Sequence, residues 1–212
     1  MCVPLLFCRK MKQGIPGALG SAFLFMMIVL VFPSCRSSEE KTADVVGNKA
    51  FIALGDSISV LAQKLLLQNV SGAIAEGGVA HAVGYCNLRA MPLLDSLANK
   101  NSITIQRVTD KARNPANRIS GKPENALFQK VQDSLRNGGV QPHYLLEDEK
   151  GRTIYYKPIL LAMPACLQCH GMPGKDIEAS TLATIREKYP DDAATGYLPG
   201  QLRGMWKITA KP

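Results

Sequence analysis

The chain has 212 residues, 46% of them hydrophobic, 20% charged and only 6% aromatic, with a formal net charge of +8. Arg9, Lys10 and Lys12 are the only charged residues among the first 34, so the remainder carries 22 basic and 17 acidic residues, a net charge of +5. That excess is too small to imply nucleic-acid binding, and the length suits one domain behind a leader.

The basic start is followed by the apolar run Ala22-Phe23-Leu24-Phe25-Met26-Met27-Ile28-Val29-Leu30-Val31-Phe32 and then by Pro33-Ser34-Cys35. This is the layout of a secretory signal peptide. The run is about half the ~20 residues a spanning helix needs. Ser34 directly before Cys35 resembles a bacterial lipobox, in which the cysteine is acylated and becomes the mature N-terminus. Residues 1–34 are therefore expected to be removed, with Met11 as an alternative start. The protein is then exported and lipid-anchored through Cys35 at the bacterial envelope, on the periplasmic side or the outer membrane. The alternatives are an uncleaved anchor, or ordinary cleavage with Cys35 left free. Residues 35–48, including Arg36-Ser37-Ser38-Glu39-Glu40-Lys41, read as the lipidated N-terminus and a polar tether. The domain proper is 49–212.

Phe51, Leu54, Ile58, Leu61 and Leu65 recur at three- and four-residue steps and predict an amphipathic helix over 48–69. A second helical stretch, 71–98, is disturbed at Gly77-Gly78 and again at Met91-Pro92. Val79, Val83, Cys86 and Ala90 share one face of it. Ile103–Val108 alternates as a strand. Arg113-Asn114-Pro115-Ala116-Asn117 is a loop, and 124–137 is a helix ended by Gly138-Gly139. Strands over 143–146 and 153–161 flank the turn Glu147-Asp148-Glu149-Lys150-Gly151 as a hairpin. A helix over 177–188 and a strand over 205–209 complete an α+β pattern with an antiparallel sheet.

Between the hairpin and the last helix stands Cys166-Leu167-Gln168-Cys169-His170. This is the C-x-x-C-H pattern of covalent haem c attachment. Two thiols add to the two haem vinyl groups, and the next residue, His170, is then placed to coordinate the iron. The bare pattern also occurs in zinc sites, where Cys86 would serve as the fourth ligand, and in thioredoxin-like redox pairs. A redox pair follows a strand and opens a helix. Here Pro158, Pro164 and Gly171 favour an irregular loop. One covalent haem c is the first expectation. Of six cysteines, Cys2 and Cys8 fall in the leader, Cys35 carries lipid and two hold haem, which leaves Cys86 alone. Candidates for the second axial ligand are Cys86, His81, His143 and Met91. Met163 and Met172 are too close to the motif to cross the ring. Arg113 and Arg118 are candidate partners for haem propionates, since guanidinium forks match carboxylates. Asn114 and Asn117 read as residues that shape their loop.

Several ordered pieces together resemble the family of exported, PAS-like single-haem c proteins long labelled as a domain of unknown function. They are Tyr85-Cys86-Asn87, Arg113–Asn117, Tyr156-Lys157-Pro158, Cys166–Gly171, Tyr189-Pro190-Asp191, Gly196-Tyr197-Leu198-Pro199-Gly200 and Arg203-Gly204. The resemblance implies a PAS-like sheet behind long N-terminal helices, a covalent haem c, and axial ligation by His170 and Cys86. Members of the family also occur as extracytoplasmic parts of membrane signalling proteins, whereas no transmembrane or kinase region follows the domain in this sequence. A six-coordinate iron lacks a substrate position. The functional expectation is therefore low-potential electron transfer or redox or small-ligand sensing, with a redox partner or an envelope sensor as the protein contact. A peroxidase, using His81 or His143 as distal acid–base, is the enzymatic alternative, and a zinc-binding structural module the other.

Overall fold

The structure is a computed structural model that describes the backbone of residues 37–211 and side chains from residue 48 onward. The leader and Cys35 lie outside the described residues. Helix α1 runs Ser37–Lys100 and is interrupted at Gly78, whose φ of 80° and ψ of −177° only glycine adopts readily. The chain thus breaks at the glycine pair, and not near residue 70, where the sequence pattern divides two helices. Asn69 stays inside the first helix because its Nδ2 donates to Leu65 O at 2.8 Å and its Oδ1 accepts from Tyr85 Oη at 3.0 Å. Helical backbone also takes in residues 37–48, where the composition indicates a tether. Pro92 sits within the second part of the helix without ending it. Both Pro92 and Leu88, whose carbonyl loses its helical donor, are exposed, so water can satisfy that carbonyl.

Strands β1 (Ile103–Val108), β2 (Tyr144–Glu147), β3 (Thr153–Leu160) and β4 (Leu202–Ala210) form one antiparallel sheet in the order β1-β4-β3-β2. Between them lie α2 (Lys122–Arg136), the single turn α3 (Leu167–His170) and α4 (Ala179–Lys188). The architecture is α+β and PAS-like, and strand and helix positions follow the sequence expectation to within a few residues.

Alternation along the strands separates two cores. Ile103, Ile105, Tyr155, Trp206 and Ile208 meet Ile58 and Ala62 from the first part of α1 and Leu94, Leu97 and Ala98 from the second. Val108, Tyr144, Tyr156 and Met205 meet Leu127, Phe128 and Val131 of α2 on the opposite face. By length and composition the Asn48–Lys100 stretch of α1 could cross a membrane, and Ile58, Ala62, Leu94, Leu97 and Ala98 within it pack on the sheet. Polar ties pin both helices. Asp56 of α1 accepts from Tyr155 Oη at 2.7 Å and Lys157 Nζ at 3.3 Å. Burial alone would raise the Asp56 pKa, but these two hydrogen bonds and the Lys157 charge outweigh it and lower the pKa. Glu124 of α2, 4% exposed, accepts from Tyr156 Oη at 2.8 Å and Ser120 N at 3.0 Å and pairs with Lys207 Nζ at 2.9 Å.

Ile208 is fully buried where α1 meets the sheet. Ile208→Ala is expected to cost about 2–5 kcal/mol in denaturant unfolding. Thr104→Ala, on the exposed side of the same strand pair, should stay within about 0.5 kcal/mol of the parent.

Candidate functional site

Sequence proximity builds half of the site. Pro164–Cys166 forms a 3-10 turn that leads into α3, with Cys166 N donating to Met163 O at 3.0 Å and Gly171 N to Leu167 O at 2.8 Å. The C-x-x-C-H segment is thus one helical turn and not the irregular loop read from its prolines. Pro164 sits in the first turn, where its missing N–H costs nothing. Positions i, i+3 and i+4 of a helix share a face, so Cys166, Cys169 and His170 project together. At Gly171 a Cβ would come within 2.6 Å of Asp176 Oδ2 and 2.7 Å of Leu167 O, so only glycine permits this exit from the turn.

A segment far down the chain then clasps the motif. Gly196 N donates to Gly171 O at 2.8 Å and Tyr197 N to His170 O at 3.0 Å. His170 Nδ1 lies 2.8 Å from Ala194 O. A carbonyl can only accept, so Nδ1 carries the proton and Nε2 keeps its lone pair. The Tyr197 ring meets the imidazole edge-on at a centroid distance of 6.3 Å. Burial first, then the charges of Arg203 and Arg113, hold the His170 pKa well below its ordinary value, so the ring is neutral near pH 7.

Arg113 locks this arrangement. Its Nε donates to Asp192 Oδ1 at 3.0 Å and its Nη2 to Cys169 O at 2.6 Å, with side chains only 13% and 8% exposed across the ion pair. Arg113, named above as a candidate propionate partner, thus has other partners in this structure. Its guanidinium is already matched to a carboxylate and two carbonyls, Ala194 O being the second at 3.4 Å. Arg118, the other arginine of that loop, is exposed. Asn114 caps the Pro115–Asn117 turn through its side chain, as a loop-shaping residue should.

Cys86 comes from the second part of α1 and lines the same cavity as Cys166, Cys169, His170 and Arg113. Leu66, Val70, Ile74, Val83 and Ala90 supply its apolar wall. The three cysteines are free thiols. Burial pushes the Cys86 thiol pKa up, against the opposing charges of Arg107 and Arg113. Among the described residues, the other second-ligand candidates stand outside this lining. His81 is exposed and 3.9 Å from Glu76. His143 lies against Asp56 and the Tyr155 ring, outside the residues that line the cavity. Met91 is half-buried on the helix beyond Ala90. Among the described residues no group of three or more His, Cys, Asp or Glu side chains is placed to hold a metal ion.

Sequence reasoning passed over Arg107 and Arg203. Both line the cavity, and the Nε of each is buried without a hydrogen-bond partner. Arg107 falls on the same strand face as Ile103 and Ile105, and a charge on the apolar face of an alternating strand was the available signal. Burial lowers the Arg203 pKa to about 10. Two cations, each with a buried and unpaired Nε, beside three thiols and a neutral imidazole suit an apolar ligand that carries anionic groups.

Asp192→Ala leaves the Arg113 charge buried and unpaired, and is expected to destabilise the chain by about 3–5 kcal/mol in thermal unfolding. Arg118→Ala should change stability by no more than about 0.5 kcal/mol.

A family model described as Tll0287-like matches residues 30–210. The crystal structure of the cyanobacterial heme-protein Tll0287 is similar in fold, with a TM-score of 0.53 and 24% sequence identity, over 72% of this chain and 92% of that one. Comparison with curated proteins finds no match.

Proposed function

This chain belongs to the Tll0287-like family, and from that premise we propose that it is a redox-active haem protein of the bacterial envelope, with one haem c held covalently by Cys166 and Cys169. The observation that carries this reading is the meeting of both motif thiols, His170 and Cys86 in one apolar-walled cavity. A bound haem would supply one-electron chemistry between ferric and ferrous iron. The protein's own residues do the rest. The Ala194 carbonyl fixes the His170 tautomer and aims Nε2 as an axial donor. Cys86 would be the second protein donor to the iron, and thiolate donation would favour its oxidised state, hence a low potential. An iron held by both of these donors would offer no open position to a substrate. This supports electron transfer over a peroxidase, whose distal acid–base residue would have to come from His81 or His143, neither of them among the residues that line the cavity. The break at Gly78, shortly before Cys86, favours one second reading: release of Cys86 on reduction, as in a redox or small-ligand sensor. The basic start, the apolar run and Ser34-Cys35 support export and a lipid anchor on Cys35. An envelope redox partner or a separate sensor protein is the partner this implies.

Produced in an envelope with haem c maturation machinery, the full chain is expected to carry one covalent haem, lost on Cys166→Ala with Cys169→Ala. Cys86→Ala should keep the haem, shift the ferric spectrum toward high spin and raise the potential. His81→Ala and His143→Ala should leave the spectrum unchanged. Stoichiometric zinc without covalent haem would refute the proposal. A histidine variant that altered ligation where Cys86→Ala did not would replace Cys86 as the ligand. Carbon monoxide binding to the reduced protein, with loss of thiolate ligation, is the result that selects sensing. Mass spectrometry of the mature N-terminus should find diacylglycerol on Cys35.

A further inference from the structure

The charges around His170 do not balance. Arg107, Arg113 and Arg203 all act on it. Asp192 is matched to Arg113 at 3.0 Å, which leaves Arg107 and Arg203 without a carboxylate in the cavity they line. Lys111 and Asp110 stand nearby but are exposed. The Nε of Arg107 and the Nε of Arg203 are both buried and unpartnered. A native fold rarely leaves such groups orphaned, because each gives up its hydration for nothing in return. Arg203 is moreover held in place before any ligand arrives. Its Nη1 donates to Thr109 Oγ1 at 3.3 Å and Lys111 O at 3.2 Å, and its plane lies 5.7 Å from the Tyr197 ring centroid. Arg107 is positioned by the strand itself, pairing through backbone with Trp206.

We propose that Arg107 and Arg203 form an anion site for the two propionates of the bound porphyrin, one guanidinium for each carboxylate. The inference rests on the haem reading above and adds the residues that bind the polar edge of the group. The count agrees: two cations, each with an unmatched buried Nε, face a ligand with two carboxylates on one edge, while its remaining surface is apolar like the wall from α1. A guanidinium fork matches a carboxylate in geometry as well as charge, and the pair is strongest where water is excluded. The same pairing would set the rotation of the porphyrin in its plane, since the thiols of Cys166 and Cys169 take the vinyl side. Arg113 is excluded from the site by its own ion pair.

The test uses the full chain with Cys166→Ala and Cys169→Ala, so that porphyrin binds without thioether bonds. Optical titration with iron protoporphyrin IX and with its dimethyl ester gives the preference for the free acid. The parent is expected to prefer the diacid. Arg107→Gln and Arg203→Gln should each reduce that preference by roughly 10- to 100-fold, as expected for a charge-assisted hydrogen bond, and the double variant should bind acid and ester alike. Arg107→Lys and Arg203→Lys keep the charge and should retain part of the preference, which separates a lost contact from a lost fold. Arg118→Gln should behave as the parent. Equal binding of acid and ester by the parent, or a preference that survives the double substitution, overturns the proposal while leaving the haem reading intact. If Arg107→Gln alters the Cys86 ligation spectrum but not the acid–ester discrimination, Arg107 serves the thiolate and the two-arginine site is wrong. Binding of neither porphyrin overturns the proposal, whereas the haem reading stands or falls separately on whether the parent chain carries covalent haem.

Discussion

The Arg113–Asp192 pair is the contact on which the geometry of the site depends. It joins three stretches that are remote in sequence: the loop after β1, the α3 turn through the Cys169 carbonyl, and the segment that follows α4. With that pair in place, Ala194 O meets His170 Nδ1, and Gly196 and Tyr197 close on the motif backbone. The imidazole is then fixed in tautomer and direction before any ligand binds. The pair is nearly dry, so each charge depends on the other. Replacing either partner therefore threatens the turn that carries the cysteines, and not merely a surface contact.

The second constraint is the drape of α1 across the sheet. Its two parts meet one core through Ile58 and Ala62 before the break, and through Leu94, Leu97 and Ala98 after it. Between these anchor points Leu66, Val70, Ile74 and Val83 supply the apolar wall of the cavity. Val83 packs with Ile177 and Ile185, so α4 and the segment leading into it brace the stretch that bears Cys86. Asn87 Nδ2 also reaches Lys188 O at 3.4 Å. The fold thus brings the Cys86 thiol and the His170 imidazole to one cavity. The similarity to Tll0287 bears on this architecture alone; the chemistry proposed for this chain rests on its own side chains.

Arginine use at the site divides by burial and pairing. Arg113 is buried and matched, and serves structure. Arg118 is exposed and serves neither. Arg107 and Arg203 are half-buried, each with a buried Nε that lacks a partner, which is costly in a finished interior and reasonable where an anionic ligand completes it. Residue type alone would have ranked the four alike.

Much of this molecule was legible in the sequence. Alternation marked β1, three- and four-residue spacing marked the first helix, and the C-x-x-C-H spacing marked Cys166, Cys169 and His170 as one site. These are local rules that need no knowledge of the fold. Gly77-Gly78 was visible too, but whether the helix broke there or near Ser71 depended on Asn69 finding Tyr85 across the bend. The tertiary structure alone brought Cys86 to the cavity of His170, gave Arg113 to Asp192, and left Arg107 and Arg203 unpaired. The physical reason is range. Periodicity encodes which face a residue occupies, whereas the partner that face meets is decided by how α1, the sheet and the segment after α4 pack, across separations at which the chain itself imposes no geometry.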